Sequence, residues 1–170
     1  MTGALGPAIS IYPLDNYEVE TMSLFELIRT QLATSVPFAS HVGVEITEVS
    51  DGRATARLAQ APTTINHIGT QHAGALFTLG EAASGAVMAG SFAQRLASVR
   101  PVAGAAEIRY LRIAKGTITA QGTLSREAAE LTALLDAEGK VAFDVDVSLR
   151  DEAGEEVAVM KVAWHLKKLT

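Results

Sequence analysis

The 170-residue sequence contains no cysteine. That excludes a disulfide framework, a thiol nucleophile and any Cys-ligated zinc or iron–sulfur centre, and leaves the compartment open. Aromatic residues make up only 5% of the chain, with one tryptophan, so bulky rings do not fill its core. Charge is thin as well: 19% of residues are charged, against the usual ~25%. Acids outnumber bases by 19 to 14, for a formal net charge of −5, and an acidic chain is a poor general surface for nucleic acid. The four histidines form no i, i+4 pair, so no metal site is expected. What is plentiful is apolar. Hydrophobic residues reach 48%, which rules out disorder and suits one domain with a well-buried core. Much of that content is alanine, beside 14 glycines, and small side chains let backbones approach closely.

The first 20 residues lack a basic stretch followed by an apolar run, so they do not read as a secretory signal. Gly3, Gly6, Pro7 and Pro13 discourage regular structure there. Residues 1–19 are therefore expected to be a loosely structured arm, and 20–170 a single domain of a cytoplasmic protein. Only residues 73–93 approach the ~20 apolar residues of a membrane span. Glu81 near the middle of that stretch makes a lipid environment expensive, so the segment is read as a buried helix and no membrane partner is expected.

Ser23 with Glu26 forms a capping-box pattern, and Met22, Phe25, Ile28 and Leu32 follow at helical spacing. A helix over about 20–34 is expected, limited by Pro37. Val42, Val44 and Ile46 then alternate with smaller or polar residues, and Asp51-Gly52 turns into a second alternating run, 53–59. After a loop comes the apolar helix, about 73–94. Strands follow at 105–113 and 117–124, then a short helix within 125–138 that Gly139 stops. Two alternating runs, 141–150 and 158–166, close the chain as a half-buried hairpin. A helix apolar nearly all round needs cover nearly all round. A curved antiparallel sheet of about six strands wrapped around it gives an α+β fold.

The chemistry concentrates at the loop-to-helix junction, Asn66-His67-Ile68-Gly69-Thr70-Gln71-His72-Ala73-Gly74, followed by Glu81 in the helix. This junction, with Pro37-Phe38, Tyr110-Leu111, Ala114-Lys115-Gly116 and the closing hairpin, resembles the hotdog-fold acyl-CoA thioesterases, in particular the phenylacetate-degradation-type branch. The resemblance implies the hotdog fold and hydrolysis of acyl-CoA thioesters, with coenzyme A present only as part of the substrate and no other cofactor. It also implies a homodimer with shared sites, with pairing of dimers into a homotetramer left open. Asn66, Gly69, His72, Gly74 and Glu81 fall at the family's offsets. Ala73 departs from it, because the family usually carries glycine there.

The residues themselves fit that chemistry. The first N–H groups of a helix lack intrahelical partners and carry the positive end of its dipole. The Ala73 and Gly74 N–H groups are thus candidate donors to the oxyanion of a tetrahedral intermediate. Asn66 would offer its amide to the same carbonyl or to water; alternatively it bonds its own loop backbone. Glu81 is a carboxylate in apolar surroundings, a candidate general base or nucleophile, unless it bonds Thr78 or Ser84. The resemblance gives His72 a loop-orienting role. His67 lies fourteen residues before Glu81, the separation of the His–Glu pair in hotdog hydroxyacyl dehydratases. Their His-Phe-Pro-Gly pattern is absent, since His67-Ile68-Gly69 stands here. Hydration or dehydration is the alternative reaction, and a non-catalytic acyl-CoA-binding protein the third reading. Several relatives carry a Ser or Thr where Ala103 stands; either another group such as Thr78 or Ser84 substitutes, or activity is weak. Arg112 and Lys115, and with the same status Arg95 and Arg100, are candidates for the phosphates of coenzyme A, the alternative being solvated surface charge.

Ala73 and Glu81 are eight residues apart, or about 12 Å along one helix. One thioester carbon reaches both only if they come from different subunits with antiparallel helices, as in a two-fold dimer.

Overall fold

The computed structural model describes residues 22–169, and the expected arm at 1–19 lies outside them. Helix α1 (Leu24–Ser35) starts where the capping box places it, with the Glu26 N–H donating to the Ser23 hydroxyl at 3.1 Å. Pro37 does not merely end that helix. It sits in the first turn of a second, α2 (Pro37–Val42), where its missing N–H is no loss. Gly43, at φ 90°, closes α2 in the left-handed conformation. The first strand, β1 (Val44–Ser50), therefore begins two residues later than the alternation from Val42 suggests.

A tight turn at Asp51-Gly52 joins β1 to β2 (Arg53–Leu58). The loop 59–72 leads into the central helix α3 (Ala73–Ser91), which passes through a 3-10 turn (Ala93–Ser98) to β3 (Val99–Tyr110). Then come β4 (Ile118–Leu124), α4 (Ala128–Glu138), β5 (Lys140–Arg150) and β6 (Glu156–Lys168). All pairings are antiparallel, in the order β1-β2-β4-β5-β6-β3. This is the wrapped-helix architecture expected from the sequence.

Small residues bring sheet and helix together. A Cβ on Gly122 of β4 would stand 2.7 Å from Val87 Cγ2 and 3.3 Å from the Ala83 carbonyl oxygen. Leu79, Ala83, Ala86 and Val87 of α3 are fully buried against that face. On β5 and β6 inward Val145, Val147, Leu149, Val162 and Leu166 alternate with outward polar residues.

β3 differs. It lies at the sheet edge, is twelve residues long, and is exposed at nearly every position. It begins six residues earlier than the expected strand at 105–113 and includes Pro101, a residue an edge strand tolerates because one row of N–H groups there has no ladder partner. None of the helices among the described residues is long and apolar enough to cross a membrane.

Candidate active site

The loop before α3 is built by its own polar side chains. Asn66 and Gly69 make a tight turn, with the Gly69 N–H donating to the Asn66 carbonyl at 3.0 Å and Gly69 at φ 75°. The Asn66 side chain braces it: Oδ1 accepts from the Ile68 and Thr70 N–H groups, both at 3.1 Å. Its Nδ2 donates to the Thr70 hydroxyl at 2.8 Å and the Gln71 carbonyl at 3.4 Å. Asn66 is thus occupied by its own loop and does not present a free amide to a substrate, which corrects the first of its two readings. His67 stands exposed at the tip of the turn, without a side-chain partner among the described residues.

His72 is the N-cap of α3. Its Nδ1 accepts from the Gly74 N–H at 2.9 Å, and its own N–H donates to the Thr64 carbonyl at 2.8 Å. This bond fixes the first turn of α3. It also removes Gly74 from the pair of expected oxyanion donors, because that N–H is taken. The Ala73 N–H has no partner among the described residues and is exposed at the positive end of the helix. Tyr110, at the end of β3, donates its hydroxyl to the Ala73 carbonyl at 2.9 Å and so fixes the other side of the same peptide segment. Burial pushes its phenol above the ordinary value.

Two turns further on, Glu81 is half-buried. Neither nearby hydroxyl reaches its carboxylate. Thr78 donates to the Gly74 carbonyl at 2.9 Å, and Ser84 to the Glu81 backbone carbonyl at 2.7 Å while accepting from the Trp164 indole N–H at 3.2 Å. The substitute role considered for those two hydroxyls is therefore not realised within the chain. The Glu81 carboxylate has no hydrogen bond or ion pair with a described residue, and burial raises its pKa above the ordinary glutamate value. It lines a cavity of about 250 Å³ whose other walls include Leu32, Val36, Ile46, Met88, Pro101 and Trp164. Pattern reading placed α1 but missed the part of this wall that α2 supplies, because Pro37 read only as the limit of α1.

The connection from β3 to β4, which carries Arg112 and Lys115, is clamped onto the loop before α3. Gln71, a buried residue that pattern reading passed over, donates from Nε2 to the Gly116 carbonyl at 3.0 Å, and its N–H bonds the Ala114 carbonyl at 3.0 Å. Gln60 accepts from the Gly116 N–H at 2.7 Å and donates to the Gly69 carbonyl at 3.1 Å. Arg112 stands 3.6 Å from Glu155 with both groups well exposed, a weak pair, and Lys115 has no ion pair among the described residues. Arg95 is committed elsewhere: it bonds Asp136 at 2.8 Å, just past the C-terminal end of α3, the end opposite the loop. Among the described residues no group of three His, Asp or Glu side chains is placed to hold a metal ion.

A family model described as a domain of unknown function (DUF4442) matches residues 25–166. The chain belongs to that family. Its fold is the hotdog fold, shared with thioesterases of known structure. A Pseudomonas aeruginosa protein of unknown function, described as a probable thioesterase, is 30% identical, with 85% of this chain and 95% of that one covered and a TM-score of 0.75. The PaaI protein from the E. coli phenylacetic acid degradation operon superposes with a TM-score of 0.65 at 17% identity, over 88% of this chain and 97% of that one. A point mutant of a Staphylococcus aureus thioesterase gives 0.64 at 18% identity, over 78% and 99%. These last two likenesses concern the fold. No curated protein matches the chain.

Proposed function

We propose that this DUF4442 protein hydrolyses acyl-CoA thioesters at two equivalent sites, each shared between the subunits of a homodimer. The observation that carries the reading is Glu81: a half-buried carboxylate with no partner, raised in pKa by burial, on the wall of an apolar cavity. Such a group is costly unless it has work to do. The 30% identical protein described as a probable thioesterase supports the reaction class.

In this reading the acyl group enters the cavity and Glu81 takes a proton from water as the oxygen attacks the thioester carbon. The oxyanion is held by the free Ala73 N–H at the partner subunit's helix terminus. Collapse of the intermediate breaks the C–S bond, releasing a carboxylic acid and the thiol of coenzyme A, whose sulfur receives the proton. Asn66, His72 and Tyr110 position the Ala73 N–H without touching the substrate. Arg112 and Lys115, clamped beside that terminus, meet the phosphates. The exposed edge β3 pairs with its copy, bringing the two α3 helices side by side. Exposed Ile65, Ile68, Leu111 and Ile113 near the terminus support an interface there.

Thiol release from a panel of acyl-CoAs tests the proposal with wild type, Glu81→Gln and His67→Ala. Hydrolysis by the proposed route predicts a loss of ~10²–10⁴-fold for Glu81→Gln and retained turnover for His67→Ala. Interconversion of enoyl- and hydroxyacyl-CoA, read as a change in enoyl absorbance with no thiol released and lost in both variants, would instead establish a dehydratase. Binding without turnover of any substrate would leave an acyl-CoA-binding protein.

A further inference from the structure

The central helix α3 contains Gly74, Gly80, Gly85 and Gly90. Glycine is the poorest helix former after proline, so each one needs a reason. At three of them a Cβ would be crowded, by backbone at Gly90 and by side chains at Gly74 and Gly80. A Cβ would lie 3.1 Å from His72 Nδ1 at Gly74, 2.6 Å from Met160 Sδ at Gly80, and 2.4 Å from the Ser50 carbonyl oxygen at Gly90. Gly85 has no such constraint. The nearest atoms to a Cβ there are Trp164 Cζ2 and Cη2, at 3.7 and 3.9 Å, ordinary contact distances. Its backbone is plain helix, with no left-handed φ. What distinguishes the position is that it faces the cavity that begins at Glu81.

We propose that Gly85 is a specificity-determining residue that keeps this cavity open for a linear acyl chain of about eight carbons; the proposal rests on the acyl-thioester reading of the site. Two measures of capacity agree. Along α3 the cavity runs from Glu81 to Met88, seven residues or about 10 Å. An extended chain advances about 1.2 Å per bond, which gives about eight bonds. By volume, about 250 Å³ at ~30 Å³ per heavy atom holds about eight atoms. The lining is aliphatic and aromatic apart from Glu81 at one end and Ser40, so each added methylene up to that length is worth about fourfold in affinity. Beyond it, Met88 and the surrounding core block the chain. An alanine at 85 places a methyl group between the helix and Trp164, and a valine occupies the middle of the cavity.

The cavity also contains its own reporter, because Trp164 is the only tryptophan in the chain. The test titrates full-length wild type, Gly85→Ala and Gly85→Val with S-butyl-, S-octyl- and S-dodecyl-CoA, thioethers that resist hydrolysis, and follows tryptophan emission. Thermal melts and acyl-CoA turnover are measured in parallel. The expected wild-type result is affinity rising to the octyl chain and no further, with a change in emission. In Gly85→Val the octyl-to-butyl affinity ratio falls at least tenfold. Gly85→Ala melts higher than wild type, as a better helix former in unobstructed space, while its octyl-to-butyl ratio also falls. An unchanged chain-length profile in both folded variants overturns the proposal, as does a wild-type preference for the dodecyl chain. If the profile appears but no acyl-CoA is turned over, the cavity assignment stands and hydrolysis fails. If acyl-CoAs are turned over with a flat profile that Gly85→Val leaves unaltered, hydrolysis stands and the cavity assignment fails.

Discussion

Replacing Ala73 by proline deletes one N–H and little else. Ala73 is the first residue of α3, where proline is favoured because the missing donor would have had no intrahelical partner. The residue before a proline must be extended, and His72 already is, at φ −70° and ψ 138°. The carbonyl that accepts from Tyr110 is retained. The fold should therefore melt at or slightly above the wild-type temperature, since a compatible proline stabilises by ~0.4–1 kcal/mol through the unfolded state. Turnover should fall by ~10²–10³-fold, the loss typical of one oxyanion donor, or about 2.7–4 kcal/mol. Thiol release and a thermal melt on the same sample separate the two effects. Mixing then tests the shared site. Neither Ala73→Pro nor Glu81→Gln is active alone, yet equal parts of the two, after subunit exchange, should recover about a quarter of wild-type activity. Half of the dimers are then mixed, and each mixed dimer has one intact site of two. Wild-type turnover by Ala73→Pro would refute the donor assignment. A mixture no more active than its parents would refute the sharing.

Glu81 links activity to stability in opposite senses. Burial raises its folded pKa, so its contribution to stability is full below the ordinary carboxylate pKa and is lost as pH rises through the raised value. Glu81→Gln should thus melt above wild type at neutral pH, with the gap closing in acid. The acid limb of the wild-type rate profile should be displaced upward from the ordinary glutamate value. Asp136 behaves in reverse: Arg95, at 2.8 Å, and Lys168, at 3.1 Å, hold its carboxyl at about 2. Asp136→Asn should lower the melting temperature at neutral pH, and the deficit should fade as wild type is acidified from the ordinary Asp value to about 2. On the outer face of the sheet, Lys140 and Arg100 both sit opposite Lys167. Lys167→Glu turns two repulsions into attractions and should stabilise by ~0.5–1 kcal/mol, read as a midpoint shift in urea.

Much of the fold was legible because one face of each long element is buried. The period of two in β5 and β6 and the near-continuous apolar run of α3 follow directly from that. The start of β3 was not, because an exposed edge has no hidden face to impose alternation, and Arg100-Pro101 reads as a break. Nor was α2, where Pro37 marks both an end and a beginning. At the site, Glu81 stood out since a lone carboxylate in an apolar helix demands an explanation. Asn66 was placed in the right loop, but its partners depend on turn geometry that spacing does not encode. The cavity was invisible for a different reason: its walls come from α1, α2, β1, α3, β3 and β6, which only folding brings together.

The edge strand β3 has a further consequence. Its middle, Ala103-Gly104-Ala105-Ala106, carries neither charge nor bulk, and Gly104 has its neighbour His165 where a side chain would go. Most natural edges are guarded by lysines or inward charges against joining other strands. Here the guards, Arg100 and Glu107, stand only to either side of that stretch. A newly folded chain therefore offers a template to any extended backbone it meets, and in the proposed homodimer self-recognition becomes a race with misassembly. Dilution during refolding should lower aggregate and slow formation of the proposed dimer alike, because both are encounters between edges.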